Sequence, residues 1–178
     1  DYEIDGAVRA AAFQFLTEQT RIHGSDLPHA LLSQGFAFRG QRVPLLGPQG
    51  IFKPGVLDVP LSITTAPNGP YDDAFGRDGL LRYRYRGTDR EHRDNRGLRF
   101  AMGERLPLVY LHGLMPRKYV ATWPVFIVGE QPDVLSFTVA VDDAQHLGLS
   151  ESGRLVGDVS KVRRGYITAQ VRQRLHQR

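Results

Sequence analysis

From residue 36 to residue 141 the chain breaks into short apolar, β-branched and aromatic runs separated by glycine and proline, at 36–39, 42–46, 60–65, 80–86, 107–112, 119–128 and 134–141. Runs this short suit strands better than helices, and the Gly/Pro punctuation between them turns the chain back repeatedly. Such a series predicts a curved sheet or small barrel. Helical spacing occurs before and after it, and interrupts it once. Residues 5–23 place Ala7, Val8, Ala11, Ala12, Phe15 and Leu16 on one stripe, with Asp5 as the expected N-cap and Gly24 as the stop. A short helix is expected over His29–Gln34, and another over 94–105, capped by Asp94 and showing Leu98, Met102 and Leu106 on one face. Asp142-Asp143 is expected to cap a brief turn at Ala144–Leu147, and 166–178 reads as a basic helix. The expected class is α+β: a helical segment at 1–35 packed on a barrel at 36–160, followed by a basic linker helix at 161–178.

Composition removes several functions. With 178 residues the chain can bury the core of one domain, and without cysteine it has neither disulfides nor thiolate metal sites. No apolar run approaches the ~20 residues of a membrane helix, so no membrane partner is expected. There is no signal peptide, and the chain is read as a cytoplasmic piece of a longer protein. The six histidines are scattered, and no HExxH, GxSxG, P-loop or GxGxxG pattern occurs. The string Glu91-His92-Arg93-Asp94-Asn95 lacks the other metal ligands of an HNH nuclease and reads as a helix start. No catalytic residue, metal or cofactor is assigned.

The net charge of +4 conceals a bias: 20 of the 23 basic residues are Arg. A GC-rich genome would produce this everywhere, whereas a nucleic-acid interface would concentrate it, because the guanidinium fork matches phosphate. Position favours the interface. Arg77, Arg82, Arg84, Arg86, Arg90, Arg93, Arg96 and Arg99 fall within residues 67–99, interleaved with Tyr71, Tyr83 and Tyr85. In Leu81–Arg86, strand alternation predicts three Arg on one face and two Tyr on the other.

Two further stretches carry chemistry. The loop Gly47–Pro54 holds Ile51 and Phe52, expected to be exposed, beside Lys53; it is either a plugged strand connection or a rigid wedge for a duplex. Tyr71-Asp72-Asp73 places carboxylates in a basic region. An acceptor there selects the exocyclic amine of cytosine, which a side chain can read on its pairing edge once the base has left the helix.

The ordered set Pro48-Gln49-Gly50-Ile51, Leu61–Thr65, Tyr71-Asp72-Asp73, Tyr85-Arg86-Gly87, Asn95–Leu98 and Leu106–Val109 resembles the SRA (SET- and RING-associated) domain, over about residues 42–128. More narrowly, the chain resembles the N-terminal half of actinobacterial SRA-HNH modification-dependent restriction endonucleases. The resemblance implies a PUA-like barrel that binds double-stranded DNA, flips 5-methylcytosine or 5-hydroxymethylcytosine into a pocket, and targets an HNH nuclease domain in cis, with a homodimer through the parent protein as a further expectation. The implied base pocket is Tyr71, Asp72, Asp73, Tyr83, Tyr85 and Arg86. Asp73 or Asp72 would accept from the amine, Tyr71 and Tyr85 would sandwich the base, and Arg86 would replace the family's threonine. The implied DNA contacts are Pro48, Gln49, Phe52, Lys53, Arg82, Arg84, Arg90, His92 and Arg93. The loop Thr88–Arg93 is short, so no strong preference for hemimethylated over fully methylated sites is expected. Three alternatives remain: a PUA-like reader of RNA or of another DNA mark, a small hydrolase using Asp72, Asp73 and His112 as acid/base groups, and a plain interaction domain whose Arg excess is merely genomic.

Overall fold

The first helix is set by its two ends and one buried stripe. Asp1 accepts a hydrogen bond from the Glu3 amide at 2.9 Å, and Gly24 ends the helix at φ 79°, so α1 runs Tyr2–His23. The expected cap, Asp5, lies inside the helix instead, because its carboxylate pairs with Arg9 one turn on, at 2.6 Å. Arg9 is only 1% exposed. Its remaining donors reach the carbonyls of Pro107 (2.8 Å) and Val59 (3.3 Å), fastening α1 to segments that lead into two strands. Val8, Ala12 and Leu16, spaced one turn apart, fill the interface beside it.

A computed structural model describes residues 1–67 and 75–141 of the chain. After α1 follow β1 (Asp26–Pro28), α2 (His29–Gln34), β2 (Phe36–Phe38), β3 (Gln41–Val43), β4 (Ile51–Phe52), β5 (Ser62–Thr65), β6 (Leu80–Arg84), α3 (Arg93–Glu104), β7 (Leu108–Met115), β8 (Lys118–Gln131), a 3-10 turn at Pro132–Val134 and β9 (Ser136–Ala140). All seven expected runs overlap a strand. Two strands were not expected, β1 and β4, both too short to show alternation. The turn expected at Ala144–Leu147, the helix expected at 166–178 and the proposed boundary at 160–161 lie outside the described residues.

The architecture is α+β, with β2 and β3 as a separate hairpin and the other strands in one sheet of order β4-β5-β7-β8-β9-β6, with β1 added on β8. Among the described strands only the β5–β7 pair is parallel, and α3 lies in the connection between them. Strand β8 organises the rest: Lys118–Val125 pairs with β7, and Phe126–Gln131 with β9, with a register shift between Ile127 and Gly129. The sheet is curled. Tyr83 on β6, at one end of the strand order, donates through its hydroxyl to the Thr64 carbonyl on β5, near the other end, at 2.9 Å. Gly50 is required at this closure, since a Cβ there would lie 2.9 Å from the same hydroxyl. Leu61, Ile63, Leu98, Leu108, Phe137 and Val139 are among the residues of the continuous core. No helix among the described residues is long and apolar enough to cross a membrane.

Candidate nucleic-acid interface

Strand β6 shows the expected alternation. Leu81 and Tyr83, and Tyr85 just beyond the strand, are buried; Arg82 and Arg84 are exposed. The third arginine departs from the expected face. β6 ends at Arg84, and Asn95 captures the Arg86 backbone from both sides, accepting from its amide at 2.8 Å and donating to its carbonyl at 3.0 Å. Arg86 therefore turns its guanidinium to Asp94, at 2.7 Å.

Tyr83 and Tyr85 are both buried. Tyr83 is interior, with its hydroxyl engaged on Thr64. Tyr85 packs its ring on Phe137, centroids 5.0 Å apart, and donates to the Glu130 carboxylate. Burial, then the adjacent carboxylate, raises the Tyr85 phenol above its usual range. The reason is strand parity: side chains that alternate with exposed Arg82 and Arg84 face the core. Tyr71, Asp72 and Asp73 lie outside the described residues. Of the flanking residues, Thr65 accepts from the Tyr110 hydroxyl at 2.8 Å, and Phe75 packs edge-on against the Tyr110 ring at 5.3 Å. His112 belongs to the same buried cluster, its Nδ1 3.3 Å from the Tyr110 hydroxyl.

The Gly47–Pro54 loop is seated rather than wedge-shaped. Ile51 is 4% exposed and pairs in register with Ile63, so the expected exposed Ile-Phe pair is corrected. Phe52 is half-buried against Gly47, where a Cβ would come 2.4 Å from the ring. The exposed residues of the loop are Pro48, Gln49, Gly50 and Lys53.

This loop forms one wall of a cleft of about 400 Å³. Pro48, Gln49, Ile51, Phe52 and Lys53 line it from the loop, Arg86, Arg93, Asp94 and Gly97 from the start of α3 and the segment before it, with Asp58 and Pro60 completing the lining. α3 and the segment before β5 approach closely because residue 97 is glycine; a Cβ there would sit 2.8 Å from Pro60. Lys53 donates to the Leu57 carbonyl at 2.9 Å, leaving further ammonium donors. Three cations from three separate segments thus share one opening with two carboxylates, Asp58 and Asp94. The volume and mixed lining suit a small polar, anionic group.

The segment between β6 and α3 is held by α3 itself. Asn95, fully buried, donates to the carbonyls of Arg86 and Asp89, at 3.0 and 2.8 Å. One turn later, Arg99 donates to the Arg90 carbonyl at 3.3 Å. His92, not Asp94, caps α3: its Nδ1 accepts from the Asp94 amide at 3.1 Å, because Asp94 is already committed to Arg86. Arg93 projects outward, and Arg90 lies over Glu130, 3.6 Å away.

Glu130 is a centre that the sequence reading missed. Its side chain is 8% exposed and takes a two-pronged contact from Arg99 (2.9 and 2.7 Å) as well as the Tyr85 hydroxyl. Arg99 chiefly, with Tyr85 and Arg90 assisting against burial, holds the carboxyl down to about 2, and the arrangement raises Arg99 in turn. The available signal was a single acid closing the apolar run of 119–128, opposite an arginine-rich segment. Among the described residues, no three His, Asp or Glu side chains converge as a metal site.

No protein-family model matches the chain, and no curated protein does. Among solved structures, the SRA domain of SUVH5 in complex with methylated CHH DNA is similar, with 18% identity over 61% of this chain and 86% of that one, at a TM-score of 0.41.

Proposed function

We propose that this chain binds duplex DNA through the cleft between the Pro48–Lys53 loop and the start of α3, and reads a modified cytosine, 5-methylcytosine or 5-hydroxymethylcytosine, rotated out of the duplex. The observation that carries this reading is the convergence of Lys53, Arg86 and Arg93 on one cleft beside the exposed loop tip Pro48-Gln49. Cations brought together from distant segments make a seat for phosphates, whose contacts set position. Arg82 and Arg84 extend the basic surface along β6. Reading of the base falls to Tyr71, Asp72 and Asp73. With Tyr83 and Tyr85 committed to the core, Tyr71 is the ring of the expected pocket left to stack, and one of the two acids accepts from the cytosine amine. In the parent protein the domain directs an HNH nuclease to marked DNA. Methylated DNA is also the ligand in the SUVH5 complex.

The test is selectivity separated from affinity. Asp72→Ala and Asp73→Ala are measured on a modified duplex and on its unmodified twin; one of them loses about tenfold or more of the preference while nonspecific binding persists, as removal of one discriminating base contact implies. If both variants retain the parent preference, the base is read elsewhere.

A further inference from the structure

The Arg86–His92 segment is short, solvent-facing and rich in charge, yet side chains hold the backbone of Arg86, Asp89, Arg90 and Glu91. Asn95 holds the carbonyls of Arg86 and Asp89, Arg99 holds that of Arg90, and the Asp89 carboxylate accepts from the Glu91 amide at 2.9 Å. Two of these ties come from one face of α3, and the second depends on a partner outside the helix. Arg99 is fixed by Glu130, near the end of β8, which also takes the Tyr85 hydroxyl and faces Arg90.

The charges in this cluster do not cancel. One carboxylate faces two guanidiniums, and its best geometry is used by Arg99. Arg90 contributes a 3.6 Å ion pair and keeps a side chain 53% exposed. Its charge is only partly neutralised, and about half of its side chain faces water. A cation in that condition gains more from a phosphate than one whose donors are satisfied, and it loses less side-chain entropy on binding than one free to wander.

We infer that Glu130 is a positioning residue for DNA binding: through Arg99 and Tyr85 it fixes the Arg86–His92 segment, and it aims Arg90 at the DNA backbone. This rests on the DNA-binding reading above. Glu130 itself touches no DNA; its contribution passes through Arg90. The short segment thereby works as a preset edge, in place of a finger that orders on binding.

A double-mutant cycle tests it, with Glu130→Gln and Arg90→Ala alone and combined, on one duplex across a salt series, and with melting followed in parallel. Glu130→Gln weakens binding about tenfold when Arg90 is present and under about twofold when Arg90 is already alanine, a coupling within the range of directly contacting residues. The slope of log affinity against log salt falls by about one in each single variant and no further in the double, because the same phosphate contact is lost. Should Glu130→Gln fail to fold, Tyr85→Phe serves instead: it keeps the ring on Phe137, and its weakening, about threefold, also vanishes in the Arg90→Ala background. Equal weakening in both backgrounds, with an undiminished salt slope, reduces Glu130 to a structural role and overturns the inference while the DNA-binding reading stands. A parent chain that binds neither modified nor unmodified duplex overturns both.

Discussion

Arg9 on α1 and Arg90 before α3 each sit beside a carboxylate, and the two sites differ in what is left over. Each of the three nitrogens of the Arg9 guanidinium is answered by protein, through Asp5 and the carbonyls of Pro107 and Val59, and the side chain is sealed from water. Arg90 shares Glu130 with a better-placed Arg99 and remains half in solvent. The first arrangement joins a helix to a sheet; the second presents charge on a rigid support. Arginine count alone is therefore a poor guide to an interface. On the proposed reading, the half-exposed cation on a fixed support serves DNA and the sealed one serves the fold.

That contrast can be broken most forcefully at Arg9. Asp5→Ala strands a buried guanidinium and is expected to cost about 3–5 kcal/mol in chemical denaturation, the range for opening a buried pair. The affinity of the folded fraction for DNA should stay as in the parent. A change in affinity without loss of stability would erase the distinction between the two arginine classes.

Effects at the cleft are expected to be smaller and of the opposite kind. Lys53→Ala and Arg93→Ala should each weaken binding to modified and unmodified duplexes by the same factor, roughly three- to tenfold, and lower the salt slope by about one, with little change in melting. A loss confined to the modified duplex would place these residues in base reading and not on the backbone.

The smallest expected effect concerns pH. Glu130 is depressed in the folded chain to about 2, so the stability it contributes is fully present above its unfolded value and is lost as pH falls through the folded one. The stability gap between the parent and Glu130→Gln should be flat from pH 8 to about 5 and close below about 4.5. A gap that varies between pH 6 and 8 would mean that another group controls the cluster.

Much of this fold could be read from the sequence because period-2 alternation and Gly/Pro punctuation are local signals. The 80–86 run gave its exposed arginines and buried tyrosines by parity, and Gly24 and Gly35 ended their helices where expected. The losses have a common origin in partners remote along the chain. Asp5 was read as a cap because its alternative, Arg9, becomes compelling only once Val59 and Pro107 close around it. Glu130 finds Arg99 and Tyr85 at separations of 31 and 45 residues, which no local pattern displays. Ile51 and Phe52 looked exposed because a two-residue strand flanked by glycine and proline has no periodicity to show its inward face.

The most direct test of the account is competition between two duplexes of identical sequence, one with a single 5-methylcytosine, at fixed moderate salt, with 2-aminopurine beside the modified position. The account predicts at least about tenfold preference for the modified duplex and a rise in 2-aminopurine fluorescence as the neighbouring base leaves the stack. Equal affinity for the two duplexes, with unchanged fluorescence at saturation, would contradict it.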